Sequence, residues 1–211
     1  MTVVAVLGGS GRLGSRVVNL LTQRNLPIRA LVHRSDLQSN RGVTCIPGGA
    51  RDPRSLAELL DGATCVVSTL GNLGSPVPDV CASATSNLIP LMIARRIKRI
   101  ISTTGSAARL DSEIGHEAEP LLARRTMLMK HVAPFILDAE THMRMLGASN
   151  LDWTVVRAPI MVGGSQKAQL SLEPARIDAT LPYDAVARLI VDELVACKWV
   201  AEAPFAVAQR D

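Results

Sequence analysis

The sequence predicts a doubly wound parallel sheet, a three-layer α/β/α sandwich, and three observations carry that expectation. Short apolar runs without strict alternation recur along the chain, which suits strands buried on both faces. Segments with helical spacing stand between them. The first apolar run leads straight into a glycine-rich turn and a helix, the unit from which such sheets are wound.

Taken in order, Val3–Leu7 reads as the first strand, and "GGSGRLG" turns it into a helix near Leu13–Arg24. Ile28–His33 and Val43–Ile46 follow as strands. Asp52-Pro53 reads as an N-cap with proline at the first helical position; it starts a helix near Arg54–Leu60 that Asp61-Gly62 ends. Next come a strand at Cys65–Leu70, a helix at Val80–Arg96, a strand at Arg99–Thr103 and a helix at Ala133–Leu146. The strand Thr154–Arg157, the helix Tyr183–Ala196 and the strand Phe205–Ala208 complete the set. The charged stretch Asp111–His131 carries no element in this reading, and His116 and His131 read as surface histidines. One irregular insert, about residues 161–181, contains "AQLSLE" as a small strand and Gly163-Gly164 as a hinge. Its place is that of a substrate lid at the carboxyl ends of the strands. No repeat or linker divides residues 1–211, so a single domain is expected.

Composition narrows the functional classes. The 211 residues, 47% hydrophobic and 20% charged, suffice for a sizeable core and do not describe a disordered chain. The net charge of +4 comes from scattered basic residues, and only five aromatics are present, so no stacking platform for single-stranded nucleic acid is indicated. A single anionic small ligand accounts for the excess. Four cysteines without C-x-x-C spacing indicate neither a disulfide framework nor a metal site. Leu88–Ala94 is interrupted by Pro90 and is too short to span a membrane. The chain opens on its first strand, so no signal peptide is expected. The expectation is a cytoplasmic monomer or small homo-oligomer whose partner is a small molecule, not nucleic acid or membrane.

The glycine turn is the motif that carries chemistry. In Gly8-x-x-Gly11-x-x-Gly14, Gly8 permits a tight turn, Gly11 lets backbone approach a pyrophosphate, and Gly14 lets the helix pack on the sheet. Amides at the helix start, around Ser10, Arg12 and Leu13, then hold the anion. A Walker-type loop needs lysine after its last glycine, whereas Ser15-Arg16 stands there. The second strand ends in His33-Arg34 rather than in the carboxylate that grips the ribose of NAD. A guanidinium there faces a 2′-phosphate, with Arg12 assisting, so NADP(H) is expected over NAD(H). Asp36 as a ribose contact, and Arg34 as a solvated surface residue, are the alternatives.

With these residues in view the chain resembles the atypical short-chain dehydrogenase/reductases, in the NAD(P)H-binding group of NmrA-like proteins and the biliverdin reductase B/flavin reductase type. The likeness spans nearly the whole chain. It rests on "GGSGRLG", "RALVHRSD", "GGARDPRSLAELLDGATCVVSTLG", "KRIISTTGSA", "DAETHMRMLGASNLDWTVVRAPIMVGG" and "YDAVARLIVDEL". The resemblance implies a Rossmann-like fold and cofactor contacts from the turn, from Arg34 and from Ser68-Thr69-Leu70-Gly71. It sets the end of the fifth strand, Thr103-Thr104-Gly105-Ser106, beside the nicotinamide. Where relatives often read Gly-Asp after the third strand, this chain has Gly49-Ala50, so Ala50, with Arg51 beside it, offers only backbone.

The usual short-chain dehydrogenase pairs tyrosine with lysine four residues on as general acid and its activator. Tyr183 is the only tyrosine here and Ala187 follows it at that spacing. Carbonyl–alcohol interconversion therefore loses its proton donor, while hydride transfer to a flavin, quinone or other planar conjugated acceptor does not need one. A non-catalytic NADP-binding redox sensor of NmrA-like type is the alternative. Candidate catalytic groups are Thr104 and Ser106, as hydrogen-bonding partners of nicotinamide or acceptor, and Asp138 with His142. The last two stand at i and i+4 on one helix face, either as a carboxylate-held imidazole donating protons near neutrality or as a solvated surface pair. Glu140 is set on another face. Arg157 reads as structural.

Overall fold

The structure is a computed structural model that describes residues 2–32, 42–71 and 77–209. Its centre is an eight-stranded sheet: β1 (Val4–Leu7), β2 (Ile28–Val32), β3 (Val43–Pro47), β4 (Cys65–Ser68), β5 (Arg99–Gly105), β6 (Asp152–Ala158), β8 (Ala168–Ser171) and β10 (Phe205–Ala208). The order across the sheet is β3-β2-β1-β4-β5-β6-β10-β8, parallel throughout except that β8 runs antiparallel to β10. β7 (Ile160–Val162) and β9 (Thr180–Pro182) pair separately.

Helix α1 (Arg12–Gln23) and α5 (Tyr183–Ala196) cover one face; α2 (Pro53–Leu59), α3 (Val80–Ala94) and α4 (Glu119–Gly147) cover the other. Alternate strand residues feed the two cores. Val4, Val6, Val67, Ile101 and Val156 pack under α1 and α5, whereas Ala5, Leu7, Val66, Ile100 and Val155 pack under α2, α3 and α4. Burial on both faces is why the strands read as continuous apolar runs.

Three expectations change. The helix expected from Ala133 begins at Glu119, within the stretch read as carrying no element, and passes a non-helical residue, Val132, before Pro134. A proline removes an amide and collides with the preceding turn, so the two segments meet at an angle rather than as one rod. The insert holds β7 and β9 as well as the "AQLS" strand, and that strand joins the main sheet at its edge. The third concerns Asp138 and His142, which face inward.

Candidate functional site

The strand order reverses between β1 and β4, and the carboxyl end of β1 opens into the glycine turn at that switch point, the place where open α/β sheets bind ligands. Gly8 adopts φ +75°, a left-handed conformation that favours glycine. Gly14 is fixed by space: a Cβ there would lie 2.0 Å from the Gly8 carbonyl oxygen. The Gly11 amide donates to that same oxygen at 2.9 Å, and the Thr69 hydroxyl donates to the carbonyls of Leu7 at 3.0 Å and Gly8 at 3.3 Å. Thr69 therefore ties the end of β4 to the turn. Gly11 is the N-cap of α1 and no side chain caps the helix, so its first-turn amides and positive dipole end stay available to an anion.

A cleft of about 320 Å³ opens beside the turn and gathers Gly8, Ser10, Gly49, Ala50, Arg51 and Leu70 from the turns after β1, β3 and β4. Arg51 pairs with Asp79, and the Asn87 amide donates to the Arg51 carbonyl at 3.1 Å, fixing that wall. Asp52 caps α2 by accepting from the Arg54 and Ser55 amides at 3.2 and 3.1 Å, as its position before proline predicts. Hydrogen bonds from Ser55 hold its carboxyl below the usual range. A larger depression of about 490 Å³ lies at the amino ends of β1–β3. It is the opposite edge of the sheet, without a helix N-terminus or the glycine turn, and it offers no phosphate-binding geometry.

On the far side of the switch point, β5 and β6 build a polar wall. Ser102 Oγ and His142 Nε2 are 2.7 Å apart and both residues are buried. Thr103 donates to the Ser68 carbonyl at 3.4 Å, and Thr104 is half-buried. The Ser106 amide donates to the Ala158 carbonyl at 2.8 Å, while its hydroxyl is sealed from water and has no partner among the described residues. An orphaned buried hydroxyl is uncommon, since most such groups find a partner.

Asp138 and His142 do share a helix face, but that face is interior and the carboxylate serves another helix. Asp138 accepts from the amides of Cys81 at 3.1 Å and Ala82 at 2.8 Å, capping α3, whose own N-cap residue Asp79 makes no such bond. Burial pushes the Cys81 thiol up, and Asp138 adds to the effect. Burial also pushes His142 down to about 4, against the opposing pull of the Ala139 carbonyl and the Asp138 charge. Burial thus works against the charged imidazole that a proton donor near neutrality would use.

Charged residues of α4 and the segment before it form a second network. Glu140 is buried and pairs with Arg125; it also accepts from the Arg109 amide at 3.1 Å. Arg157 is structural, as its sequence suggests. It is 2% exposed, donates to the Ala203 carbonyl at 2.7 Å and Glu113 at 2.7 Å, and stacks 3.6 Å from the Phe205 ring centroid. The single tyrosine sits at the start of α5 with the guanidinium carbons of Arg12 and Arg16 at 5.4 and 5.1 Å from its ring centroid. His33, Arg34 and Asp36, on which the NADP preference rests, lie outside the described residues.

Among the expected residues, the structure brings Gly8, Ser10, Ala50, Arg51 and Leu70 to one cleft, with Gly11, Arg12, Leu13 and Gly14 beside it at the start of α1. Ser68 and Gly71 lie at the end of β4 nearby. Ser102 was missed by sequence reasoning. The signal available was strand alternation: Ser102 shares a sheet face with Ile100, the face that α4 covers.

This chain belongs to the NAD(P)H-binding family, whose model matches residues 8–196. Among solved structures it is similar to the anaerobillin reductase ChuY of Escherichia coli O157:H7, with a TM-score of 0.78 and 19% identity over 98% of this chain and 97% of that one. A short-chain dehydrogenase/reductase of Veillonella parvula, solved in complex with NADP, gives a TM-score of 0.78 at 18% identity, covering 98% of this chain and 94% of that one. At such identities these structures share the fold. By sequence, the chain is 33% identical over 117 residues to an NAD(P)H azoreductase of Xenophilus azovorans; the match covers 53% of this chain and 38% of that protein's length. Among the described residues no helix is long and apolar enough to cross a membrane.

Proposed function

We propose that this protein is an NADPH-dependent reductase that passes hydride to a planar conjugated acceptor such as a flavin, a quinone or an azo compound. The observation that carries the reading is the Ser106 hydroxyl, buried and without a partner among the described residues, just past the carboxyl end of β5. An unsatisfied buried hydroxyl is costly, so the turn after β5 is expected to shift on cofactor binding and expose Ser106 to a ligand amide or carbonyl that completes it.

When bound, the nicotinamide supplies the hydride; the residues of this chain bind and orient. The uncapped start of α1 receives the pyrophosphate, the cleft of Gly8, Ala50, Arg51 and Leu70 takes the adenosine half, and Arg34 selects the 2′-phosphate. Thr104 and Ser106 hydrogen-bond the nicotinamide carboxamide or the acceptor. His142 acts as a positioning residue: it holds Ser102, and the rigid β5 edge with it, rather than delivering a proton. An acceptor that delocalises charge takes its proton from water, which agrees with the absence of a Tyr-x-x-x-Lys pair. The NAD(P)H azoreductase relative and the anaerobillin reductase neighbour are both reductases, which supports the reading.

The test is NADPH oxidation followed at the nicotinamide absorbance with FMN, riboflavin, a quinone and an azo dye in turn. Acceptor-dependent turnover that Ser106→Ala slows by about tenfold, some 1.4 kcal/mol of transition-state stabilisation, is the expected result. Tight NADPH binding with no acceptor accelerating its oxidation would instead favour the sensor reading.

A further inference from the structure

Arg124 stands apart from the other buried arginines. Leu121, Arg124 and Arg125 share the inward face of the first segment of α4. Arg125 has Glu140, and Arg157 has two carbonyls, Glu113 and an aromatic ring. Arg124, 4% exposed, makes one hydrogen bond among the described residues, from Nη2 to the Arg176 carbonyl at 2.6 Å. Among the described residues no carboxylate pairs with it. Asp178 is near enough to favour its charge, yet that carboxylate is exposed and engaged by Arg176 at 3.2 and 3.3 Å.

Among the described residues the Nε and Nη1 groups of Arg124 are therefore donors without acceptors, and neither is sealed from solvent. A buried charge left in this condition is costly, and burial accordingly lowers the tendency of this guanidinium to hold its proton. Nη2 belongs to both bidentate edges of the guanidinium and already serves the Arg176 carbonyl, while Nε and Nη1 lie on opposite sides, so each offers a single charge-assisted hydrogen bond to an anion oxygen. Its location is telling. The first segment of α4 follows the carboxyl end of β5, and Arg176 lies on the chain that leaves the carboxyl end of β6, so both belong to the sheet edge that carries the glycine turn. The same two segments expose Leu122, Met127, Ile160 and Ile177, apolar side chains suited to a flat ligand.

We propose that Arg124 is the anion-recognising residue of the acceptor subsite, so that the favoured acceptor is a flat conjugated molecule bearing a carboxylate or sulfonate. This rests on the reductase reading above. The test uses three dyes with one chromophore: 4-dimethylaminoazobenzene, its 4′-carboxylate and its 4′-sulfonate (methyl orange). Binding of each to the protein–NADP⁺ complex is measured by calorimetry, and NADPH-dependent bleaching is followed separately. The two anionic dyes should bind at least tenfold more tightly than the neutral one. Arg124→Gln should abolish that difference while leaving neutral-dye affinity in place, and Arg124→Lys should restore part of it. Equal affinity of the wild-type complex for charged and neutral dyes, a comparison that needs no variant, overturns the proposal, as does an equal loss for all three dyes in Arg124→Gln. Charge-selective binding without bleaching keeps the anion subsite and removes the reductase reading, so the two claims fail separately.

Discussion

Lowering the pH should destabilise the fold through His142 before the carboxylates contribute much. Its imidazole is buried, with Nε2 at 2.7 Å from Ser102 Oγ, so a second proton would put a charge where burial outweighs the pull of the Ala139 carbonyl and Asp138. Burial sets its folded pKa at about 4 against 6.5 for the unfolded chain. Between those values the unfolded state binds more protons, so stability is complete above about pH 6.5 and falls as the pH drops. Linkage gives a loss of about 2 kcal/mol by pH 5 and about 3 kcal/mol by pH 4 from this group alone. Asp52 and Asp178, whose carboxyls are held below their usual range by hydrogen bonds, contribute their own losses only further down, as the pH falls below the unfolded carboxylate range. Urea unfolding of the wild type and His142→Gln at pH 7, 6, 5 and 4 isolates the histidine, because glutamine keeps a polar partner for Ser102 and does not titrate. The variant should lose about 3 kcal/mol less than the wild type between pH 7 and 4. Parallel curves for the two proteins, or an imidazole NMR titration near 6.5, would refute the burial argument.

Gly14→Ala places a Cβ 2.0 Å from the Gly8 carbonyl oxygen, so the turn must shift; NADPH affinity should fall at least tenfold by fluorescence titration, with far-UV circular dichroism retained. Asp138→Ala strips the amino end of α3 of the carboxylate that receives the Cys81 and Ala82 amides, and should cost about 1–2 kcal/mol in chemical denaturation. Asp138→Asn should recover part of that loss, because its carbonyl still accepts. Arg34→Ala should weaken NADPH far more than NADH in parallel titrations, and equal losses would remove the 2′-phosphate assignment.

The parts of the fold that were readable from sequence are those governed by local rules. The β1–turn–α1 unit follows from an apolar run, three spaced glycines and helical periodicity, and Asp52-Pro53 marks the start of α2 by capping chemistry alone. The start of α4 was hidden for a physical reason. Leu121, Arg124 and Arg125 occupy the buried positions of its first segment, and a hydrophobic pattern takes two arginines there for a solvated face. Asp138 and His142 show the same limit at the site. Their spacing correctly puts them on one face, but which groups meet them is decided by Ser102, Cys81 and Ala82, all at least 40 residues away in the chain. Long-range hydrogen bonds of this kind leave no periodic trace.

The central claim is that the uncapped start of α1 and the turn before it bind a pyridine dinucleotide. Calorimetric titration of the full chain with NADPH, paired with a melting curve at saturation, tests it most directly. One nucleotide per chain is expected, with stability raised by about 2.7 kcal/mol at a hundredfold excess over Kd. No binding heat and an unmoved melting temperature would contradict it.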